Sequence, residues 1–157
     1  MESVVQELNA LINEFTAKLR AMEAADFETR PQPHKWSKKE VIGHLVDSAQ
    51  NNLRRFIVST YAATPPNIVY DQDAWVRLNG YQSMLPDQVV TLWSLVNQQI
   101  LTVLQQLPPD DYSKACDTGK DKQQLHSLLW LAEDYVKHMK HHLNQVFPGT
   151  FSIAYKS

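Results

Sequence analysis

Apolar residues return every three or four positions in four long stretches of this chain. Val5, Leu8, Leu11, Ile12, Phe15, Leu19 and Met22 share one helical face, which predicts a first helix over residues 3–25. The proline-rich RPQPHK at residues 30–35 ends it. A full start signal follows. Ser37 stands as an N-cap with Glu40 three residues later, the spacing of a capping box. Trp36 precedes that cap, where a hydrophobic staple onto Val41 is expected. Val41, Ile42, Leu45, Ala49, Leu53 and Phe56 carry the stripe of a second helix, which should end near Tyr61 before ATPP.

A connection over residues 62–85 comes next, with a short helix expected in DQDAWVRLNGY. Connections of this length usually carry function or structure of their own. The third helix opens near Pro86, at a position that suits a proline. Val89, Leu92, Trp93, Val96, Ile100, Val103, Leu104 and Leu107 give its inner side, and PPD at residues 108–110 stops it. A fourth helix is predicted over residues 121–146. Leu125, Leu128, Ala132, Val136, Met139, Leu143 and Val146 face inward, and Pro148 and Gly149 end it. The tail FSIAYKS reads as short and extended. Four amphipathic helices predict an all-α, single-domain chain over residues 1–157. The expected architecture is a four-helix bundle with a long crossover between its second and third helices.

Composition narrows the function. Glycine is scarce, at four residues, which suits helices. A net charge of −2 offers no electrostatic reason to bind nucleic acid or an anionic membrane. No apolar run reaches the roughly 18 residues of a membrane span. The acidic, amphipathic N-terminus does not read as a signal peptide. Cys116 is the only cysteine, so an internal disulfide is excluded, and nothing near it in sequence suggests an activated thiolate. These features lead to the expectation of a cytoplasmic protein acting on a small molecule.

The candidate chemistry lies in the histidines. His138, His141 and His142 crowd into five positions before the final stop. With His138 at zero on a wheel of about 100° per residue, the apolar stripe centres near 110°, His142 falls near 40° and His141 near 300°. His138 and His142 therefore border the inner face, and His141 is expected among Lys137, Lys140 and Asn144 on the solvated side. Histidines four apart on one face can ligate one metal ion. They can equally complement a helix dipole. His44, in VIGHLVDSAQNN, flanks the inner stripe of the second helix and could complete a three-histidine set, or be a satisfied buried histidine. Asp47, Tyr135 and Gln145 are candidates to orient an imidazole from behind, although Asp47 alone reads as a solvated side chain. His34 is expected to be exposed in its turn and His126 to be an early-helix surface residue. Trp130 falls near 280°, away from the inner stripe, so a cover from the tail or from a second subunit is expected.

KWSKKEVIGHLVDSAQNNLRRF, YDQDAWVRLNGY and HMKHHLNQV, in that order and spacing, carry a resemblance that spans residues 36–146. The chain resembles the DinB/YfiT-like superfamily of metal-binding four-helix bundles, especially the branch with YfiT-type metal-dependent hydrolases and bacillithiol S-transferases. The resemblance implies metal ligands at His44, His138 and His142, a divalent ion such as nickel or zinc, and frequent homodimers. It implies either a thiol S-transferase or hydrolase, with a low-molecular-weight thiol as a candidate cosubstrate, or a stress-related metal-binding bundle without catalysis. Trp75 and Tyr81 are the expected apolar wall of a substrate pocket. Arg55, with Arg54, is a candidate to meet an anionic group, against a plain reading as solvated charge. Three imidazoles suit zinc, nickel, copper or iron alike.

Overall fold

The computed structural model describes residues 1–152. The bundle helices are α1 (Glu2–Arg20), α3 (Lys38–Tyr61), α5 (Pro86–Gln106) and α6 (Leu128–Val146). Two shorter helices, α2 (Ala24–Glu28) and α4 (Gln72–Asn79), fill the connections around α3. α3 packs on α5 and α6, and α1 packs on the same two. Helices that follow one another in the chain, α1 and α3 or α5 and α6, therefore sit across the diagonal. The crossover of residues 62–85 joins α3 to α5, which pack side by side.

The core is the set of stripes read from the sequence. Leu8, Phe15, Ile42, Phe56, Trp93, Ile100, Leu128 and Leu143 are among its fully enclosed side chains. Periodicity errs locally. Leu92 is 40% exposed while Val90 takes an inner position. The first predicted helix breaks at residues 21–23, and its last part becomes α2.

The N-terminal part of the fourth predicted helix is not helical. Ala115–Asp117 (β1) and Leu125–Ser127 (β2) pair antiparallel instead. The Asp117 carboxylate accepts the backbone N–H groups of Gly119 and Gln124 at 2.9 and 2.8 Å and closes the loop between the strands. Ser127 then caps α6, its Oγ accepting from the Trp130 N–H at 3.2 Å. His126 consequently lies on β2, stacked on the Trp130 ring with centroids 3.7 Å apart. Trp130 remains 42% exposed. The described part of the tail lies at the other end of α6, where Asn144 bonds both backbone groups of Phe151 and the Phe151 ring meets Phe15 at 5.6 Å. The rest of the FSIAYKS tail lies outside the described residues. Cys116 is buried in β1, its thiol donating to the Pro66 carbonyl at 3.2 Å.

The start of α3 is tied down most firmly. Ser37 and Glu40 form the expected capping box, at 3.1 and 2.9 Å. Arg30 grips the Glu40 carboxylate with two bonds, at 2.9 and 2.5 Å. Lys39, 1% exposed, donates to Glu28 and to the Met84 carbonyl at 2.7 Å each. The Trp36 ring lies against that of His44, with centroids 5.2 Å apart.

Gly43 lets the crossover reach this helix. A Cβ there would stand 2.2 Å from the Tyr81 ring. Gly→Ala inside a helix normally stabilises by roughly 1 kcal/mol. Here Gly43→Ala is expected to destabilise by about 1–3 kcal/mol, because a packed ring must move. Urea unfolding checks the sign, and a stabilised variant would refute the close packing of Tyr81 on α3.

Candidate metal centre

α3 brings His44 from its second turn, and α6 brings His138 and His142 from its last three. Nε2 of His138 lies 3.3 Å from Nε2 of His44 and 3.1 Å from Nε2 of His142. One nitrogen from each ring falls within 4.8 Å of the others. Ligand nitrogens about 2.0–2.1 Å from a shared tetrahedral ion stand roughly 3.3 Å apart. The observed spacing matches that distance.

The outer nitrogens indicate which way the lone pairs point. The Gln145 amide lies between two imidazoles, with Oε1 3.0 Å from Nδ1 of His142 and Nε2 3.4 Å from Nε2 of His141. An amide oxygen only accepts, so His142 carries its proton on Nδ1 and directs its Nε2 lone pair at His138. Nδ1 of His44 is enclosed and has no hydrogen-bond partner. Electron pairs facing one another at this distance repel unless a proton or a cation lies between them, so the donor set fits a divalent ion.

Electrostatics point the same way. Burial pulls the His44 pKa from 6.5 down to about 3, helped by the charge His142 would carry. Burial, then the neighbouring imidazoles, holds His138 well below the ordinary value. Burial also lowers His142, against the opposing Gln145 bond. All three are neutral near pH 7, the form that binds metal.

The other predicted residues are placed differently. Asp47 is neither solvated nor bonded to an imidazole. It is fully buried, and its Oδ1 accepts from Tyr81 at 2.6 Å and Asn79 at 2.8 Å. Burial raises its pKa to about 6 despite those bonds. Tyr135 turns away from the histidines and donates to Asn97. Gln145 does meet His142. A cavity of about 920 Å³ opens over His138 and His142. It is also lined by Pro31, His34, Lys35 and Trp36, from the segment between α2 and α3, and by Gln72 and Asp73 of the crossover, not by Trp75, Tyr81 or Arg55. Tyr81 is committed to Asp47, Trp75 packs on Tyr70 at 5.8 Å, and Arg55 bonds the Ile68 carbonyl. His141 is half-buried on the cavity's edge, its ring 5.0 Å from that of His142, and is not on a solvated face. His34 is exposed as expected, yet lines the same cavity.

A helical bundle with three converging imidazoles under an open cavity is the architecture of a metal-binding four-helix bundle. Residues 7–146 match the DinB superfamily, and the chain belongs to it. A Bacillus cereus (strain AH820) protein named "Putative metal-dependent hydrolase" is 26% identical over 145 residues, 90% of this chain and 80% of that one. YfiT from Bacillus subtilis, described as a probable metal-dependent hydrolase with an unusual four-helix bundle topology, superposes with a TM-score of 0.82. Its identity is 22%, over 93% of this chain and 83% of YfiT. A mycothiol-dependent maleylpyruvate isomerase shares the fold at a TM-score of 0.69 and 12% identity, over 90% of this chain and 59% of the isomerase. Among the described residues, no helix is long and apolar enough to cross a membrane.

The imidazoles also set a pH dependence. Between pH 6.5 and about 3 an unfolded chain protonates His44 while the folded one does not, so stability falls on acidification. Asp47 acts oppositely, because its folded form holds a proton up to about pH 6 against 3.8 when unfolded. Three lowered imidazoles outweigh one raised carboxylate. Metal-free protein in chelator should therefore show a lower urea midpoint at about pH 5 than at about pH 7.5. An equal or higher midpoint at pH 5 would contradict the buried neutral cluster.

Proposed function

We propose that this protein is a metal-dependent enzyme in which His44, His138 and His142 hold a divalent ion at the floor of the 920 Å³ cavity, and that it hydrolyses a small-molecule substrate. The observation that carries this reading is the meeting of three Nε2 atoms at ligand spacing beside an open cavity. The names of the Bacillus relatives support the reaction class. Such an ion supplies Lewis acidity, bringing a coordinated water, or a thiol, toward ionisation near neutral pH.

The protein's own residues supply the rest. Burial keeps the three imidazoles unprotonated. Gln145 fixes His142 and ties it to His141, which presents a further imidazole to whatever occupies the cavity. Trp36 covers His44 on one side and lines the cavity on the other, so it excludes water from one ligand and offers an apolar surface to substrate. Zinc and nickel both suit the donor set.

A second reading, transfer of a thiol to an electrophile, is favoured by the cavity's size and by the shared fold of a mycothiol-dependent enzyme. Pockets of about 300–1,000 Å³ take drug-sized ligands, well beyond what a water nucleophile alone requires.

Protein purified without a histidine tag is expected to hold one divalent ion per chain by elemental analysis. His142→Ala should weaken that ion by more than about 100-fold, beyond the usual effect of an outer-shell change, while far-UV circular dichroism stays helical. Full occupancy in that variant would overturn the ligand set. A panel of esters and amides, with and without low-molecular-weight thiols and a model electrophile, should give turnover that disappears with the metal. Inertness across the panel would leave a metal-binding bundle without catalysis.

A further inference from the structure

A second cavity, of about 390 Å³, shares a wall with the one over the histidines. His34, Lys35, Trp36 and Asp73 line both, and the remaining residues of the second cavity are its own. No histidine of the three-ring cluster reaches it. α4 contributes its last turn, which stops at Gly80 in the left-handed conformation, at φ 65°, and hands the chain to the turn at Tyr81–Ser83.

Three side chains around this cavity carry a positive charge at neutral pH: Arg30, Lys35 and Arg77. Arg30 is held in place. Its Nε and Nη2 donate to the Glu40 carboxylate at 2.9 and 2.5 Å, and its Nη1 has no partner among the described residues. Arg77, in the last turn of α4, and Lys35, before α3, make no side-chain hydrogen bond or ion pair among the described residues. Two acids line the same cavity. Glu40 is already engaged, because its carboxylate takes both Arg30 bonds and the Ser37 N–H. With Arg30 and Glu40 offsetting each other, Lys35 and Arg77 face Asp73 alone, an excess of one positive charge. Lys38 gives the contrast. It lines only the cavity over the histidines and is closed onto the Asp26 carboxylate, at 2.8 and 2.9 Å.

A concave surface with an excess of one sign concentrates the opposite charge. Guanidinium groups suit planar or tetrahedral oxyanions, which accept two parallel N–H bonds from one fork. We propose that the second cavity binds an oxyanion group of a small molecule, a carboxylate or a phosphate, with Arg77 and Lys35 closing on it beside the fixed guanidinium of Arg30. The site is separate from the three-histidine cluster and needs no ion, so it stands or falls independently of the metal reading.

Calorimetric titration of metal-stripped protein, dialysed free of chelator, tests this with inorganic phosphate and with succinate at about pH 7.5 and low ionic strength. One saturable site per chain is expected for at least one of the two anions. Phosphate alone would identify a phosphorylated ligand, and succinate alone a carboxylate one. Arg77→Gln and Lys35→Gln should each weaken binding about 10-fold, the loss of one charge-assisted contact. Lys38→Gln removes a charge nearby but outside the cavity, and should leave the affinity within about twofold. Circular dichroism checks that each variant keeps its helices. No saturation by about 10 mM of either anion would overturn the proposal. So would a Lys38→Gln variant weakened as much as Arg77→Gln, which is what a diffuse positive surface predicts. Undiminished binding in the Arg77→Gln/Lys35→Gln double variant would overturn it as well, by placing the anion elsewhere.

Discussion

Three imidazoles meet with their Nε2 atoms 3.1 and 3.3 Å apart, at the spacing of ligands around one ion. They meet in a region largely withdrawn from water, where burial suppresses a positive charge on His44 and His138. Much of the surrounding structure can be understood as fixing those rings. Gln145 holds His142 from behind, Ser48 holds His138, and Trp36 lies against His44. A cation at the meeting point would be held by three neutral imidazole nitrogens, which is the physical link between this packing and a metal-dependent activity.

The bundle provides the rigidity that such a point needs. His44 is placed by α3, whose start carries the capping box, the two-pronged Arg30–Glu40 pair and the buried Lys39. The crossover presses Tyr81 onto Gly43, next to His44, and delivers the Tyr81 hydroxyl to Asp47 one turn on. The same crossover supplies Ile68, which anchors Arg55. The long connection therefore braces α3 through Tyr81 and Ile68 and also reaches the cavity through Gln72 and Asp73. The cavity wall comes mostly from the segment that precedes α3, through Pro31, His34, Lys35 and Trp36, with Gln72 and Asp73 added from the crossover.

Much of this was legible in the sequence because helices carry their geometry in their period. The stripes of the four bundle helices, the Ser37–Glu40 start and the inward arc of His138 and His142 all follow from about 100° per residue. The β1–β2 hairpin was not legible by that route. Leu125 and Leu128 have helical spacing, and the contrary signal was the short Asp117-Thr118-Gly119 turn, whose carboxylate collects backbone N–H groups. His141 was misplaced because a wheel measures direction from one helix axis, whereas the cavity lies at the helix end and is closed by a segment distant in sequence. Ser48 gave no signal, since a serine within a helix has no period to betray its partner. Trp75, Tyr81 and Arg55 do not line the cavity over the histidines, because Tyr81 turns onto Asp47 of α3, Trp75 packs on Tyr70 within the crossover, and Arg55 of α3 is spent on the Ile68 carbonyl.

The central claim is the convergence of three imidazoles on one ion, and a crystal structure of zinc-loaded protein with anomalous diffraction at the zinc edge tests it most directly. The account predicts a single strong anomalous peak about 2.0–2.1 Å from Nε2 of each of His44, His138 and His142. A peak bound elsewhere, or one that excludes His44, would contradict it.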